Sequence, residues 1–281
     1  CSCLTRCTSP EPALLLLLSA GRRVLAEHPI LVLSMDLNKQ VESESQVRHT
    51  APLDDRILTL RRAIFDASGA DKDVTQGIAA SFMKYNNGSP VTIEFSTSLS
   101  AAEARWAFSA TKKNMEARYE ASGYGWDDDD KKKELTEKGA RFLLVRAAPT
   151  PTPTPTTTGA EDVEATEPGP LVGFVHFRFT VQGEVLEKMA GDNCLHVFDI
   201  HLEEGRGKGL GKHLLVLLEL IARREKMGRL TLPVQLGDSK TTSWLKHIGR
   251  GFEVDPSLAG LGFDAEVEGF HIYAKVFQPN P

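Results

Sequence analysis

Apolar positions first recur with a helical period at Ile57, Leu58, Leu60 and Ile64, which predicts a helix there. A second helix is expected from about Val74 to Tyr85, closed by the turn signal Asn86-Asn87-Gly88. Val91 to Phe95 alternates as a half-buried strand does. Ser100 and Glu103 form an S-x-x-E capping box, and the helix behind it carries Phe108, Met115 and Tyr119 on one face. Asp127 to Lys133 is a run of four acids and three bases and reads as a solvated surface turn. Strands are expected at Phe142 to Arg146, Val172 to Phe179 and Cys194 to Leu202. A long helix from about Leu210 to Lys226 shows the apolar stripe Leu210, Leu214, Leu217, Leu218 and Ile221. Leu230 to Leu236 is strand-like, Thr241 to Ile248 is a short helix, and Phe270 to Phe277 is a last strand. The pattern is that of an α/β (α+β) domain, with a strand–Gly-loop–helix unit at its centre.

Two stretches fall outside this pattern. Residues 1–54 show no clean period and are expected to be a poorly ordered leader, although the apolar run Ala13 to Leu18 after Arg6 could also pass for a signal-peptide core. Residues 147–170 alternate Pro with Thr and then turn acidic, a composition that cannot bury a core. The simplest account is a hairpin whose loop carries a disordered insert, because loop closure costs grow only logarithmically with length. One domain over residues 55–281 results; the alternative is a linker between two domains. No apolar run reaches the roughly 18–20 residues a membrane helix needs.

Charge and cysteines narrow the classes. The 281 residues carry 33 Lys and Arg against 38 Asp and Glu, a net charge of −5, which argues against non-specific nucleic-acid binding and mildly favours a basic partner. Cys1, Cys3, Cys7 and Cys194 make no disulfide framework. The first three could be read as zinc ligands but have no fourth at a finger-like spacing, so no metal is expected. Cys194 reads as a buried small hydrophobe in a reducing compartment.

The strongest chemical signal runs from His201 to Lys212. A strand enters glycines, and the glycines enter a long amphipathic helix. The first helical turn leaves backbone N–H groups without partners, and the helix dipole adds positive potential there. Glycines let that backbone approach a diphosphate, with Arg206 and Lys208 adding charge beside it. No G-K-[ST] follows as in a Walker A box, and the spacing is wrong for a dinucleotide fingerprint. Arg206, Gly209 and Gly211 instead fit R-x-x-G-x-G, which resembles the signature by which GNAT acetyltransferases hold the pyrophosphate of acetyl-CoA.

Further segments resemble one GNAT branch, NatD, whose members acetylate histone N-termini of the H-four and H-two-A types beginning Ser-Gly-Arg-Gly. They are Lys84-Tyr85 before Asn86-Asn87-Gly88, Trp106 to Met115, Tyr119-Glu120, Gly125-Trp126, Gly173 to Phe179, and Gly209 to Lys212 with its leucine-rich helix. The resemblance implies a GNAT fold, a mixed central sheet with flanking helices, and acetyl transfer from acetyl-CoA to a protein α-amine. It implies catalytic roles for Asp199, where the family has Glu, for His196, where it has Tyr, and for Tyr119. Coenzyme contacts are expected from Ile200, His201, Leu202, Arg206, Gly207, Lys208, Gly209, Leu210, Gly211, Lys212 and Asp238, with Thr241, Trp244 and Leu245 filling the neighbouring family segment. Substrate contacts are expected from Tyr119, Tyr124, Trp126, Phe198, Thr180 and Gln182. The last two stand where the family has acids facing the histone tail, and Glu184 or Glu187 could take over. The expected reaction is direct attack by a neutral amine, with Asp199, through water, and His196 as base and the N–H groups of Ile200 to Leu202 stabilising the oxyanion. Histone tails are the expected partner, with no nucleic acid or membrane, in a monomer of nucleus and cytoplasm. The alternatives are a GNAT acting on another amine and a non-catalytic acyl-CoA or histone-tail binding module.

Overall fold

Alternation along one strand shows how the layers are made. Leu143 and Val145 of β3 (Arg141–Ala147) point to one core, while Phe142 and Leu144 point to another, as side chains of period two must. The computed structural model describes residues 55–88, 90–148, 168–182, 192–203, 207–248, 250–259 and 263–277. Among these, β3 belongs to an eight-stranded sheet with β1 (Lys84–Tyr85), β2 (Val91–Ser96), β4 (Leu171–Val181), β5 (Asn193–Leu202), β6 (Arg229–Gln235), β7 (Glu253–Val254) and β8 (Phe270–Val276), in the order β1-β2-β3-β4-β5-β6-β8-β7. The helices are α1 (Asp55–Ile64), α2 (Ala101–Ser122), α3 (Asp128–Thr136), α4 (Leu210–Arg224), α5 (Ser239–His247) and α6 (Ala265–Glu268). The mixed α/β class expected from the sequence is what is observed.

On one face α1 and α4 cover the sheet. Leu60 and Ile64 of α1 and Leu214, Leu217, Leu218 and Ile221 of α4 pack on Leu143, Val175, Phe177, Leu195 and Val197. Each fully buried α4 side chain contributes about 1.5–3 kcal/mol. On the other face Ala107 and Ala110 of α2 and Leu135 of α3 pack on Phe142, Leu144 and Phe174. The predicted capping box starts α2, with Ser100 accepting from the Glu103 amide, and Gly123 at φ 80° ends it in the left-handed conformation.

All strand pairs are antiparallel except β5 with β6. A parallel pair needs a crossover, and α4 supplies it. The parallel ladder is short. Cys194, Leu195 and His196 pair with Arg229, Leu230 and Thr231, and beyond that point the two strands share no paired residues. By contrast, β4 and β5 pair at nine positions.

Two expectations are corrected. The helix expected from Val74 to Tyr85 is a series of turns leading into β1. Asp73 takes the Thr75 amide and hydroxyl, and Gly77 lies at φ 82°. Arg224 also draws the Val74 and Gln76 carbonyls away from helical partners, so local pattern is overridden by a tertiary contact. The charged run expected as a solvated turn is the helix α3, started by Asp127, whose carboxylate accepts from the Asp129 and Asp130 amides. The two-residue strands β1 and β7 and the single turn α6 had no hydrophobic period to announce them. No helix among the described residues is long and apolar enough to cross a membrane.

Candidate active site

The parting of β5 and β6 opens a cleft of about 670 Å³. Val197 to Leu202 form one wall and Leu232 to Gln235 the other. Gly207, Gly209, Gly211 and Lys212 stand at one end, and Trp244 and Thr241 of α5 and Met115 and Arg118 of α2 complete it. The backbone edge of β5 that β6 leaves at His196 therefore faces the cleft through Ile200, His201 and Leu202, where the coenzyme contacts were expected.

Gly209 caps α4 at φ 91°, and its carbonyl takes the first helical bond from His213. A side chain is unfavourable there on two counts: the left-handed φ, and a Cβ that would stand 2.6 Å from the Tyr85 hydroxyl. At Gly211 a Cβ would meet the Trp244 ring at 3.1 Å, so this glycine lets α4 approach α5. Leu210 is buried and anchors the helix start to the core. Lys208 does not line the cleft; its side chain lies over Gly88. Arg206 falls outside the described residues, as do Glu184 and Glu187. Asp238 borders the cleft, but its carboxylate is already engaged. It caps α5 through the Thr241 amide, accepts the Thr241 hydroxyl at 2.6 Å, and pairs with Arg118 at 2.6 Å across to α2.

A β-bulge decides what the middle of β5 presents. Val197 pairs with Phe177 and Asp199 with the preceding residue, His176, leaving Phe198 as the extra residue. Strict alternation would put Asp199 on the Val197 face, inside the aliphatic core. The bulge moves it to the opposite face, where it meets α3. Its Oδ2 lies 3.5 Å from Lys131 Nζ and 3.6 Å from His176 Nδ1, and its Oδ1 lies 3.3 Å from His201 Nε2. Glu134 completes the group, 2.5 Å from Lys131 and 3.7 Å from His176. The His176 ring is sandwiched between Phe142 and Phe198, with centroids 5.0 and 4.8 Å away. All five charged or titratable members are more than nine-tenths buried.

Burial alone would neutralise this cluster, and mutual charge prevents it. Desolvation pushes Asp199 up, but Lys131, His176 and His201 together hold its carboxyl well below the usual range. Glu134 is likewise pulled down to about 2 despite burial, chiefly by Lys131. Desolvation depresses Lys131, and Asp199 and Glu134 overcome it and push the ammonium up. Burial pushes the Tyr119 phenol up to about 12, so it stays protonated. Glu134, His176 and Asp199 offer ligand atoms all within 4.8 Å of one another, a set a divalent ion could use; here the Lys131 ammonium supplies positive charge among them.

Beside this cluster lies a smaller pocket of about 50 Å³, walled by Tyr119, Tyr124, Trp126, His196 and Phe198. Phe198, Pro233 and Gln235 border both cavities, so the pocket and the cleft meet at the β5–β6 parting. Tyr119 packs against Tyr124 and Trp126 with ring centroids 5.1 and 5.4 Å apart. Trp126 is fixed by its indole N–H, which donates to Asp128 at 2.6 Å. His196 contacts the Thr231 hydroxyl through Nδ1 at 2.9 Å. Acids border the pocket too: Asp127 and Asp130, from the run expected to be a solvated turn, and Glu134 just beyond it.

The structure thus brings together Tyr119, Tyr124, Trp126, His196, Phe198 and Asp199, and does not bring Thr180 and Gln182 to them. Thr180 is paired with Cys194 near the far end of β4, and Gln182 donates to Asp255 and Ser257 at 2.5 and 2.6 Å. Neither lines either cavity. Cys194 is buried. Sequence reasoning missed Lys131, Glu134 and His176, the last because a histidine in an apolar strand reads as a core residue.

No protein-family model matches the chain. Among solved structures it is similar to a GNAT-family acetyltransferase from Listeria monocytogenes, at 15% identity over 69% of this chain and 99% of that one, with a TM-score of 0.43. It is similar to the PaiA N-acetyltransferase of Thermoplasma acidophilum in complex with coenzyme A, at 15% identity over 66% and 99%, TM-score 0.40. The Arabidopsis thaliana NAA60 in complex with a bisubstrate analogue aligns at 10% identity over 66% and 100%, TM-score 0.41.

Proposed function

We propose that this chain transfers acetyl from acetyl-CoA to the N-terminal α-amine of a protein, a histone tail beginning Ser-Gly-Arg-Gly being the expected substrate. The observation that carries this reading is the parting of β5 from β6 beside a glycine-capped helix start. It joins a cleft of about 670 Å³, which would take a thioester arm, to backbone amides suited to a diphosphate, and it ends at an aromatic pocket that an amine can enter. The glycine signature and the NatD-like segments of the sequence agree with it.

In this reading the amides of Gly209, Leu210 and Gly211 hold the diphosphate, and the open edge of β5 from Ile200 to Leu202 faces the thioester. The α-amine lies among Tyr119, Tyr124, Trp126 and Phe198. A free α-amine has a pKa near 7.7–8.0, so one modest base suffices. The base is His196, which lines the amine pocket, rather than Asp199. A carboxylate held far below the usual range accepts a proton poorly at neutral pH. Asp199 instead keeps the cluster charged and orients His201. The neutral amine attacks the thioester carbonyl, His196 takes the amine proton, and the coenzyme leaves as its thiolate, which is reprotonated on release. Tyr119, protonated throughout, can donate a hydrogen bond.

A basic tail is supported by the net charge of −5 and by Asp127 and Asp130 at the pocket. These take the place of the acids expected near Thr180 and Gln182. The reading is tested by incubating the protein with acetyl-CoA and a Ser-Gly-Arg-Gly-Lys peptide and locating the acetyl group by tandem mass spectrometry. Acetyl on the serine amine is expected. Acetyl confined to the lysine side chain overturns the N-terminal assignment, and coenzyme binding without transfer points to a binding module.

A further inference from the structure

The cleft end that faces the proposed diphosphate is not self-supporting. Gly209 leaves its own φ unrestricted, so the peptide plane between Lys208 and Gly209 is free to flip unless something outside the loop holds it. Two side chains do. The Tyr85 hydroxyl donates to the Lys208 carbonyl at 2.5 Å, and Asn87 Nδ2 donates to the same oxygen at 3.0 Å, which uses both lone pairs of that carbonyl. The peptide is trans, so its N–H points opposite to its C=O. Gly207, Gly209 and Gly211 line the cleft, whereas Lys208, Tyr85 and Asn87 do not. With the carbonyl turned to Tyr85 and Asn87, the Gly209 N–H is left on the cleft side.

The same segment is fastened at two further points. His213, in the first turn of α4, approaches the Phe82 carbonyl at 2.8 Å through Nε2, and its ring lies 5.1 Å from the Tyr85 ring. Gly88, at φ 101°, lets the Lys208 side chain lie flat on the turn; a Cβ there would stand 2.2 Å from Lys208 Cδ. Residues 82–88 therefore form a strap across the back of the glycine turn.

We propose that Tyr85 and Asn87 are positioning residues for coenzyme binding: they clamp the Lys208–Gly209 peptide plane and so preset the Gly209 amide as a donor to the diphosphate. The inference rests on the acetyl-CoA reading above. It concerns binding of the anion and not the chemical step, so it predicts a split between the two.

Tyr85→Phe and Asn87→Ala each remove one donor without adding a charge; Asn87 is exposed and the half-buried Tyr85 keeps its ring, so the fold survives both. Coenzyme A affinity by calorimetry should weaken about fivefold in each and about twentyfold or more in the double variant, as loss of one and of both hydrogen bonds implies. The turnover at saturating acetyl-CoA and the melting temperature without ligand should stay near wild type. Unchanged affinity in both single variants overturns the clamp, as does a loss of affinity matched by an equal loss of turnover and of melting temperature. Failure of the wild-type protein to bind coenzyme A fails the acetyl-CoA reading itself, and is seen before any variant is made.

Discussion

One extra residue in β5 decides which side chains meet. The bulge at Phe198 puts His196, Asp199 and His201 on the face they share with His176 and the α3 cluster. Their roles then separate by environment. His196 borders the aromatic pocket, while Asp199 sits behind it in a charge network that keeps it ionised. Replacing His196 with Ala is therefore expected to lower kcat by about 10²–10⁴, the usual worth of a placed general base, with coenzyme affinity unmoved. Asp199→Asn should cost less in kcat, because the base survives and only its surroundings change. Steady-state kinetics beside coenzyme titration on both variants checks the order; a larger loss for Asp199→Asn would return the base role to the carboxylate. The resemblance to NatD named both residues, by their places on the strand before the glycine turn. It could not show which face Asp199 takes, because a bulge inverts the alternation on which that judgement depends and leaves no trace in residue type.

At the level of elements, α3 shows why polar runs mislead. Lys131, Glu134 and Leu135 recur at helical spacing, but two of the three are charged, so a hydrophobic period cannot detect the stripe they form. They are buried as a mutually paired set against Asp199. The segment from Val74 to Tyr85 erred the other way, an apparent period undone by Gly77 and Arg224. Burial of charge makes α3 a test of linkage. Glu134 titrates at about 2 in the fold against a usual 4.5, and Asp199 moves in the same direction. Folded values below unfolded ones mean stability that is present above about pH 4.5 and lost as the pH falls toward 2. Lys131→Met reverses the sign. Two carboxylates then stay buried without their cation, desolvation dominates, and their folded values rise. The variant should lose about 3–5 kcal/mol at neutral pH, with a deficit that shrinks on acidification as the acids take up protons. Chemical denaturation of both proteins between pH 7 and 4 measures it. A deficit that stays constant or grows toward pH 4 would show that Lys131 contributes packing and not charge.

For the molecule as a whole, the short join between β5 and β6 is also where the cleft opens. The sheet is continuous, yet its two parts are joined across β5 and β6 by three paired positions, against nine between β4 and β5. The longer strands, α2 and the strand–glycine–helix unit were legible in the sequence because hydrophobic period and turn residues mark them directly. The parting of two parallel strands was not, since it depends on how far a ladder continues and not on which residues compose it. A ligand lying between the strands, with its anionic end on the start of α4, touches both parts at once and so stabilises the fold as a unit. At a hundred times its Kd, coenzyme A should add about 2.7 kcal/mol, or roughly 5–10 °C in Tm for a domain of this size. Gly209→Glu should abolish the shift, since a Cβ at this left-handed φ would stand 2.6 Å from the Tyr85 hydroxyl and force the turn that presents the amides out of shape. Hydrogen exchange places the effect: protection on ligand binding should rise in Val197 to Leu202 and in Leu232 to Gln235 together, the two walls of the cleft. Protection confined to the glycine turn would mean that the ligand binds by its phosphates alone and leaves the two strands uncoupled, and the thioester arm would then have no place between them.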